Sequence, residues 1–192
     1  HPVGEHRIAL EVVALAVAAR VAQRFALAHH DRLASLVLAD SRSESKLERT
    51  PEQRAAFYDA RAKPILEGRT MAEIAPNVAR SLMGPKAGPE VLAQLVDSMS
   101  RIRPQAYLKA IAANLDEDYA GDLSSIRVPT LVLTGADDTL TPPALGRKLA
   151  TDISGAEYVE LADAGHLSNI EHPEAFNAAL LAFYRRHFPG LV

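Results

Sequence analysis

Two aspartates and a histidine near the C-terminal end of the sequence have the side chains that acid–base chemistry requires. Asp137 and Asp138 follow an apolar run at 130–134, and His166 follows a second apolar run at 158–161. A carboxylate that accepts a hydrogen bond from one imidazole nitrogen leaves the other nitrogen free to act as a base. If both runs are strands of one sheet, the loops after them lie at one sheet edge. The spacing therefore predicts a paired carboxylate and imidazole, which are two of the three parts of a nucleophile–base–acid relay.

The sequence around these residues alternates between strand and helix patterns. Aliphatic and β-branched runs at Leu33–Ala39, 130–134 and 158–161 predict buried strands. Strand patterns are absent between residues 42 and 120, where the sequence predicts helices beginning at Pro51, Met71, Pro89 and Pro104. We therefore predict an α/β fold of two parts: a core formed by residues 1–41 and 121–192, and a helical insertion at 42–120.

Helix boundaries are better marked at the C-terminal end than at the N-terminal end. Thr141 is predicted to cap a helix that starts at the next residue. At the other end, Val12 and Val13 suit a strand, and Ala18–Ala28 suits a helix after it. Because no glycine marks a boundary between them, one continuous helix from Ile8 is an alternative on propensity alone.

The composition argues against several classes of protein. The chain has 192 residues, of which 48% are hydrophobic and 23% are charged, and its net charge is -3. These values are ordinary for a globular domain, and they give no support for a nucleic-acid or anionic-membrane partner. The apolar run at 8–19 is too short to span a bilayer. The sequence has no cysteine, which excludes disulfides, thiolate metal sites and a cysteine nucleophile. We predict a cytoplasmic protein with no metal and no cofactor.

Several motifs together resemble the C-terminal part of α/β-hydrolases. The nearest group is that of esterases and lactonases similar to 3-oxoadipate enol-lactonase. The resemblance covers nearly the whole chain from about residue 12. It is carried by Val21–His29, Leu33–Leu38, Val128–Leu133, Gly135-x-x-Asp138, Thr141-Pro142-Pro143, Gly165-His166 and His172-Pro173-Glu174.

The resemblance implies roles for the polar residues. Members of the family place the nucleophile first, then the acid, then the histidine. Asp138 followed by His166 obeys that order, so the resemblance implies that His166 is the base and Asp138 the acid, with Asp137 as the alternative acid. It further implies hydrolysis of an ester or lactone of a small apolar or carboxylate-bearing substrate. The helical insertion at 42–120 is similar to the family's lid in position.

The same resemblance points to a nucleophile position that has no hydroxyl. The family's Gly-x-Ser-x-Gly precedes the helix that 21–25 resembles, and alignment there places Ala16 where the serine belongs. The first serine in the sequence is Ser35, inside a predicted strand, and the first aspartate is Asp31, so an aspartate nucleophile of the dehalogenase kind is also missing. The resemblance therefore implies little or no turnover by this chain.

Two other functions stay open at this point. One is a hydrolase-like fragment that binds a ligand or a partner without catalysis, and the other is a carbon–carbon bond hydrolase or haloperoxidase of the same fold. The resemblance also implies a partial sheet whose first strand, at about 8–14, lies at an exposed edge. We predict that a second copy pairs with this edge, or that residues 8–19 cover it by forming helix. A monodisperse monomer with an ordered, solvent-exposed strand would contradict both.

Overall fold

The computed structural model describes residues 10–43, 50–116 and 121–190. Within these ranges the sheet has four strands in spatial order β1-β2-β3-β4, and every neighbouring pair is parallel. Because the strands are parallel, all their carboxyl ends lie at one edge of the sheet. The α/β prediction is confirmed. The strands are β1 at Leu10–Leu15, β2 at Leu33–Ala39, β3 at Thr130–Gly135 and β4 at Glu157–Leu161.

Helices connect the strands, as parallel pairing requires. The connection from β1 to β2 is α1, Ala16–Ala28, and the connection from β3 to β4 is α6, Pro143–Asp152. After β4 come the short α7, Ser168–Glu171, and α8, Pro173–His187. Between β2 and β3 lies what we call the four-helix segment: α2 at Pro51–Leu66, α3 at Met71–Arg80, α4 at Pro89–Ser100 and α5 at Pro104–Asp116.

The two central strands are apolar at nearly every position because helices cover both faces of the sheet. Alternate residues of a strand point to opposite faces. Leu36 and Leu38 of β2 pack with α1 and α6 on one face, whereas Val37 of the same strand packs with α8 on the other. All three side chains are fully buried. A strand covered on both sides shows no polar alternation, which explains the continuous aliphatic runs in the sequence.

The N-terminal ambiguity is resolved in favour of a strand. Leu10–Leu15 pairs with β2 up to the register Leu15↔Ala39, so the alternative of one continuous helix is wrong for the described residues. The predicted alternative in which residues 8–19 form a helix over the edge is also wrong, because residues 10–15 are a strand. Residues 8 and 9 lie outside the described ranges. Strand pairing with the buried β2 overrides the helix propensity of this Ala-rich stretch. Strand β1 lies at one edge of the described sheet, and association with a second copy stays a prediction.

Helix starts in the four-helix segment follow the capping signals of the sequence. Thr50 and Thr70 each accept a hydrogen bond from the backbone N–H three residues later and complete capping boxes with Gln53 and Glu73. The prediction that Thr141 caps a helix is wrong. Helix α6 begins at Pro143, and the Thr141 hydroxyl donates a hydrogen bond to Asp138. No helix in the described part of the chain is long and apolar enough to cross a bilayer.

Candidate functional site

The carboxyl edge of the sheet brings the predicted carboxylate and imidazole into contact. Asp138 lies three residues after the end of β3, and His166 lies five residues after the end of β4. Their side chains meet with His166 Nδ1 2.8 Å from Asp138 Oδ2. Asp138 is 3% exposed, and the His166 side chain is 11% exposed. A nearly buried carboxylate therefore holds an imidazole that still reaches the surface of the site.

Asp138 uses both of its oxygens as hydrogen-bond acceptors. Oδ1 accepts from the backbone N–H groups of Leu140, at 2.8 Å, and Thr141, at 2.9 Å. Oδ2 accepts from the Thr141 hydroxyl, at 2.6 Å, and from His166. Burial raises the pKa of Asp138, but the hydrogen bond and charge of His166 and the bonds from Thr141 outweigh it and hold the pKa below 3.8. Because an ionised carboxylate can only accept, His166 carries its proton on Nδ1 and leaves Nε2 free as a base.

Thr141 is a site residue that sequence reasoning missed. Its hydroxyl lies 3.2 Å from His166 Nδ1 as well as donating to Asp138 Oδ2. The signal in the sequence is an aspartate followed three residues later by a threonine, a spacing at which a carboxylate can accept from both the threonine N–H and its hydroxyl. Because Pro142 follows it, the sequence predicts a helix cap at this threonine instead.

Asp137, the alternative acid, contributes a backbone hydrogen bond to this edge. Its backbone N–H donates to Ala164 O at 2.9 Å, which ties the loop after β3 to the loop after β4. In the described part of the chain, the carboxylate that is hydrogen-bonded to His166 is that of Asp138.

Ala16 is the first residue of α1 and directly follows β1. Since Leu15 is in register with Ala39 at the end of β2, position 16 lies at the carboxyl edge of the sheet, where the Asp138 and His166 loops also lie. This is a strand-to-helix turn, the type of backbone that presents a nucleophile in enzymes with a nucleophile elbow. The structure therefore places Ala16 at the same sheet edge as the acid–base pair.

Asp40 is a second residue of this edge that the sequence did not single out. It follows β2 directly, is fully buried, and has a left-handed backbone with φ of 49°. Its carboxylate accepts hydrogen bonds from Gly135 and from Ser168. Burial raises the pKa of Asp40 to about 6, although the bonds from Ser168 and Gly135 and the charge of His166 oppose the rise. From the sequence alone, Asp40 is predicted only to end a strand, with no role in the site.

The four-helix segment contacts the His166 loop through backbone atoms. The N–H of His166 donates to Leu82 O at 2.9 Å. The carboxylate of Glu171 accepts from Gly84 N at 2.8 Å and from Gly165 N at 2.9 Å, which joins the segment and the loop. Close approach is possible because both partners are glycines: a methyl group at Gly165 would overlap backbone atoms of Met83 and Gly84.

Gly165→Ala is expected to displace His166. The added methyl group meets backbone rather than a flexible side chain, so the loop or the four-helix segment must move. We expect a loss of about 1–3 kcal/mol in the free energy of unfolding, which is typical of overpacking. Urea denaturation measures it, with Gly190→Ala as the control, because Gly190 also has no positive φ but has open space around it. If Gly165→Ala were as stable as wild type, the close backbone contact between Gly165 and Gly84 would be contradicted.

A surface groove on the described part of the molecule lies apart from this edge. In the described ranges, no three His, Cys, Asp or Glu side chains are grouped so that they could hold a metal ion. A groove of about 620 Å³ opens on the four-helix segment, where α2 ends and α5 begins, and its lining includes Ile65, Met71 and Leu108. Neither Asp138 nor His166 lines that groove, so it is not the site described above.

Comparison with known proteins gives the family. A family model described as the alpha/beta hydrolase fold matches residues 16–173. The chain belongs to the α/β-hydrolase family. The matched range takes in position 16, the four-helix segment, Asp138 and His166. The resemblance predicted from the sequence is therefore confirmed.

Among its relatives in the α/β-hydrolase family are two curated proteins. BpoC of Mycobacterium tuberculosis, named as a candidate non-heme bromoperoxidase, is 30% identical over 90% of this chain and 67% of its own. 3-Oxoadipate enol-lactonase 2 of Acinetobacter baylyi is 30% identical over 69% of this chain and 50% of its own. The solved structure of a thermophilic esterase from Thermogutta terrifontis, with malate bound, matches with a TM-score of 0.80 and 27% identity over 93% of this chain and 65% of its own. The chain thus spans about half to two thirds of the length of these proteins.

Proposed function

We propose that this α/β-hydrolase cleaves small esters or lactones slowly, with His166 as general base and Asp138 as the acid that orients it. The observation that carries the proposal is the 2.8 Å hydrogen bond between His166 Nδ1 and the buried, ionised Asp138. It fixes the tautomer in which Nε2 can take a proton, and the carboxylate stabilises the imidazolium that results.

Without a hydroxyl at position 16, the nucleophile in this proposal is water. His166 Nε2 takes a proton from water as the water oxygen attacks the carbonyl carbon of the ester. The tetrahedral intermediate then expels the alkoxide, which receives the proton from the imidazolium. The products are an acid and an alcohol, or a hydroxy acid from a lactone. Because Ala16 cannot be acylated, no covalent intermediate forms, and turnover is slow.

The names of the relatives support an ester or lactone of a small molecule. One relative is named as an enol-lactonase and one structural neighbour as an esterase, and the esterase was solved with malate, a small dicarboxylate. We therefore propose a small substrate that carries a carboxylate. The four-helix segment contacts the His166 loop at Leu82 and Gly84, which supports its proposed role as a lid at 42–120 over the core. The cytoplasmic location stays a prediction.

A second candidate is binding of such a molecule without catalysis. Ala16 at the strand-to-helix turn favours it, because the family's covalent step is then unavailable. The haloperoxidase and carbon–carbon hydrolase alternatives share the acid and base of the main proposal and differ in substrate, so assays of those substrates with the same variants distinguish them.

Ester turnover by the wild-type chain tests the main proposal. We expect slow hydrolysis of p-nitrophenyl acetate that falls by about 100-fold in His166→Ala, as expected for loss of a general base. His29→Ala is the matched control because His29 is an exposed histidine outside this edge. Equal rates for wild type and His166→Ala would contradict catalysis and favour binding alone, which calorimetric titration with small carboxylates then measures.

A further inference from the structure

Asp40 lies between the two loops that carry the acid and the base. Its Oδ1 accepts a hydrogen bond from the N–H of Gly135, at 3.1 Å, three residues before Asp138. Its Oδ2 accepts from the N–H and the hydroxyl of Ser168, at 3.1 and 2.7 Å, two residues after His166. One carboxylate thus joins segments that are 95 and 128 residues away from it in the sequence.

Asp40 is itself fixed in place by the sheet. Its N–H donates to Leu133 O at 2.9 Å, which extends the pairing of β2 with β3 by one residue. Its backbone is in the left-handed region, which is uncommon for a residue with a Cβ atom. Its carboxylate is hydrogen-bonded to amide and hydroxyl groups rather than to a cation. Burying an anion in this way costs stability, so packing alone does not account for an aspartate at this position.

The bonding pattern requires two acceptor oxygens. Both oxygens of Asp40 face N–H donors, so an asparagine in either amide orientation would direct an N–H group at Gly135 or at Ser168. One of the two loops would then lose its acceptor and move away. The distance between the loops determines the length of the hydrogen bond from His166 to Asp138. The strength of that bond is sensitive to shifts of a few tenths of an ångström.

We propose that Asp40 is a positioning residue that holds the end of β3 and the start of α7 at the spacing required by the His166–Asp138 hydrogen bond. It acts through these two loops and does not touch the reacting atoms. The inference rests on the proposed roles of His166 as base and Asp138 as acid.

Proton NMR of the full chain with ¹⁵N-labelled histidine tests the inference. Wild type is expected to show a downfield, slowly exchanging proton on His166 Nδ1, since this proton is bonded to a buried carboxylate. In Asp40→Asn we expect that resonance to be lost. Ser35→Ala is the matched control: Ser35 is a buried polar residue of β2 whose hydroxyl has no hydrogen-bond partner, so its removal leaves the resonance in place.

A second variant separates position from charge. Asp40→Asn also removes a negative charge near His166, whereas Ser168→Ala keeps that charge and removes only the 2.7 Å bond. In Ser168→Ala we expect the Nδ1 proton to exchange with water about tenfold faster, in line with one lost hydrogen bond to a charged group.

Several outcomes overturn the inference. A folded Asp40→Asn that keeps the resonance with wild-type exchange would do so. If Asp40→Asn fails to fold, Ser168→Ala decides, and unchanged exchange overturns the inference. Absence of the resonance in wild type would overturn both the hydrogen bond between His166 and Asp138 and the role of Asp40 in positioning it. Because none of these measurements uses turnover, absent ester hydrolysis with an intact Nδ1 resonance would contradict the proposed function alone.

Discussion

Ala16→Ser is expected to raise the turnover of p-nitrophenyl acetate by at least about 100-fold over wild type. The substitution adds a hydroxyl at the turn between β1 and α1, on the sheet edge that carries His166 and Asp138. In the proposed mechanism His166 is the base and Asp138 its carboxylate, so the hydroxyl supplies the missing part of the relay. In a serine hydrolase, removing the nucleophile costs far more than this factor, which leaves room for imperfect stabilisation of the oxyanion.

The kinetic form of the gain is as informative as its size. An acylated serine predicts a burst of p-nitrophenol followed by a slower steady rate, whereas water attack predicts no burst. Ala18→Ser is the matched control, because it adds the same hydroxyl two residues later on an exposed position of α1. The double variant Ala16→Ser with His166→Ala should return to background. A folded Ala16→Ser with no gain would show that position 16 is not presented to the pair, and would favour binding without catalysis.

The sheet and the acid–base pair could be predicted from the sequence because their signals are local. A strand that is buried on both faces is aliphatic at nearly every position, so β2 and β3 are visible as continuous runs. Asp138 and His166 each lie a few residues after such a run, and the parallel sheet brings both run ends to one edge. Helices of the four-helix segment begin where proline and threonine predict them.

The remaining features depend on contacts between distant segments. The boundary of β1 is set by pairing with β2, and an Ala-rich sequence carries no local mark of it. The role of Asp40 follows from Ser168, 128 residues later in the chain. The backbones of Gly84 and Gly165 are in close contact, and nothing in the sequence links the two loops that contain them. A single sequence gives the position of each of these residues along the chain, but it does not show which distant residue each one contacts in the fold.

Asp138→Asn is expected to lower kcat by about 10³–10⁴-fold in the Ala16→Ser background. The amide can keep its oxygen toward Leu140 N and Thr141 N, which places the NH₂ group against His166 Nδ1. A donor at that position forces Nδ1 to become an acceptor, so the proton moves to Nε2 and the base is lost. An aspartate-to-asparagine change that keeps the geometry but reverses the tautomer has an effect of this size in serine proteases. Histidine ¹⁵N shifts report the tautomer directly.

The same variant has a pH-dependent effect on stability. The folded-state pKa of Asp138 lies below 3.8, so its ionised form stabilises the fold above pH 3.8, and that contribution is lost as the pH falls through the folded pKa. We expect Asp138→Asn to be about 2 kcal/mol less stable than wild type at pH 7, and the difference to shrink in acid. Asp137→Asn is the matched control, because Asp137 is adjacent but makes no hydrogen bond to His166. If Asp137→Asn lost as much activity and stability as Asp138→Asn, the assignment of Asp138 as the partner of the base would be wrong.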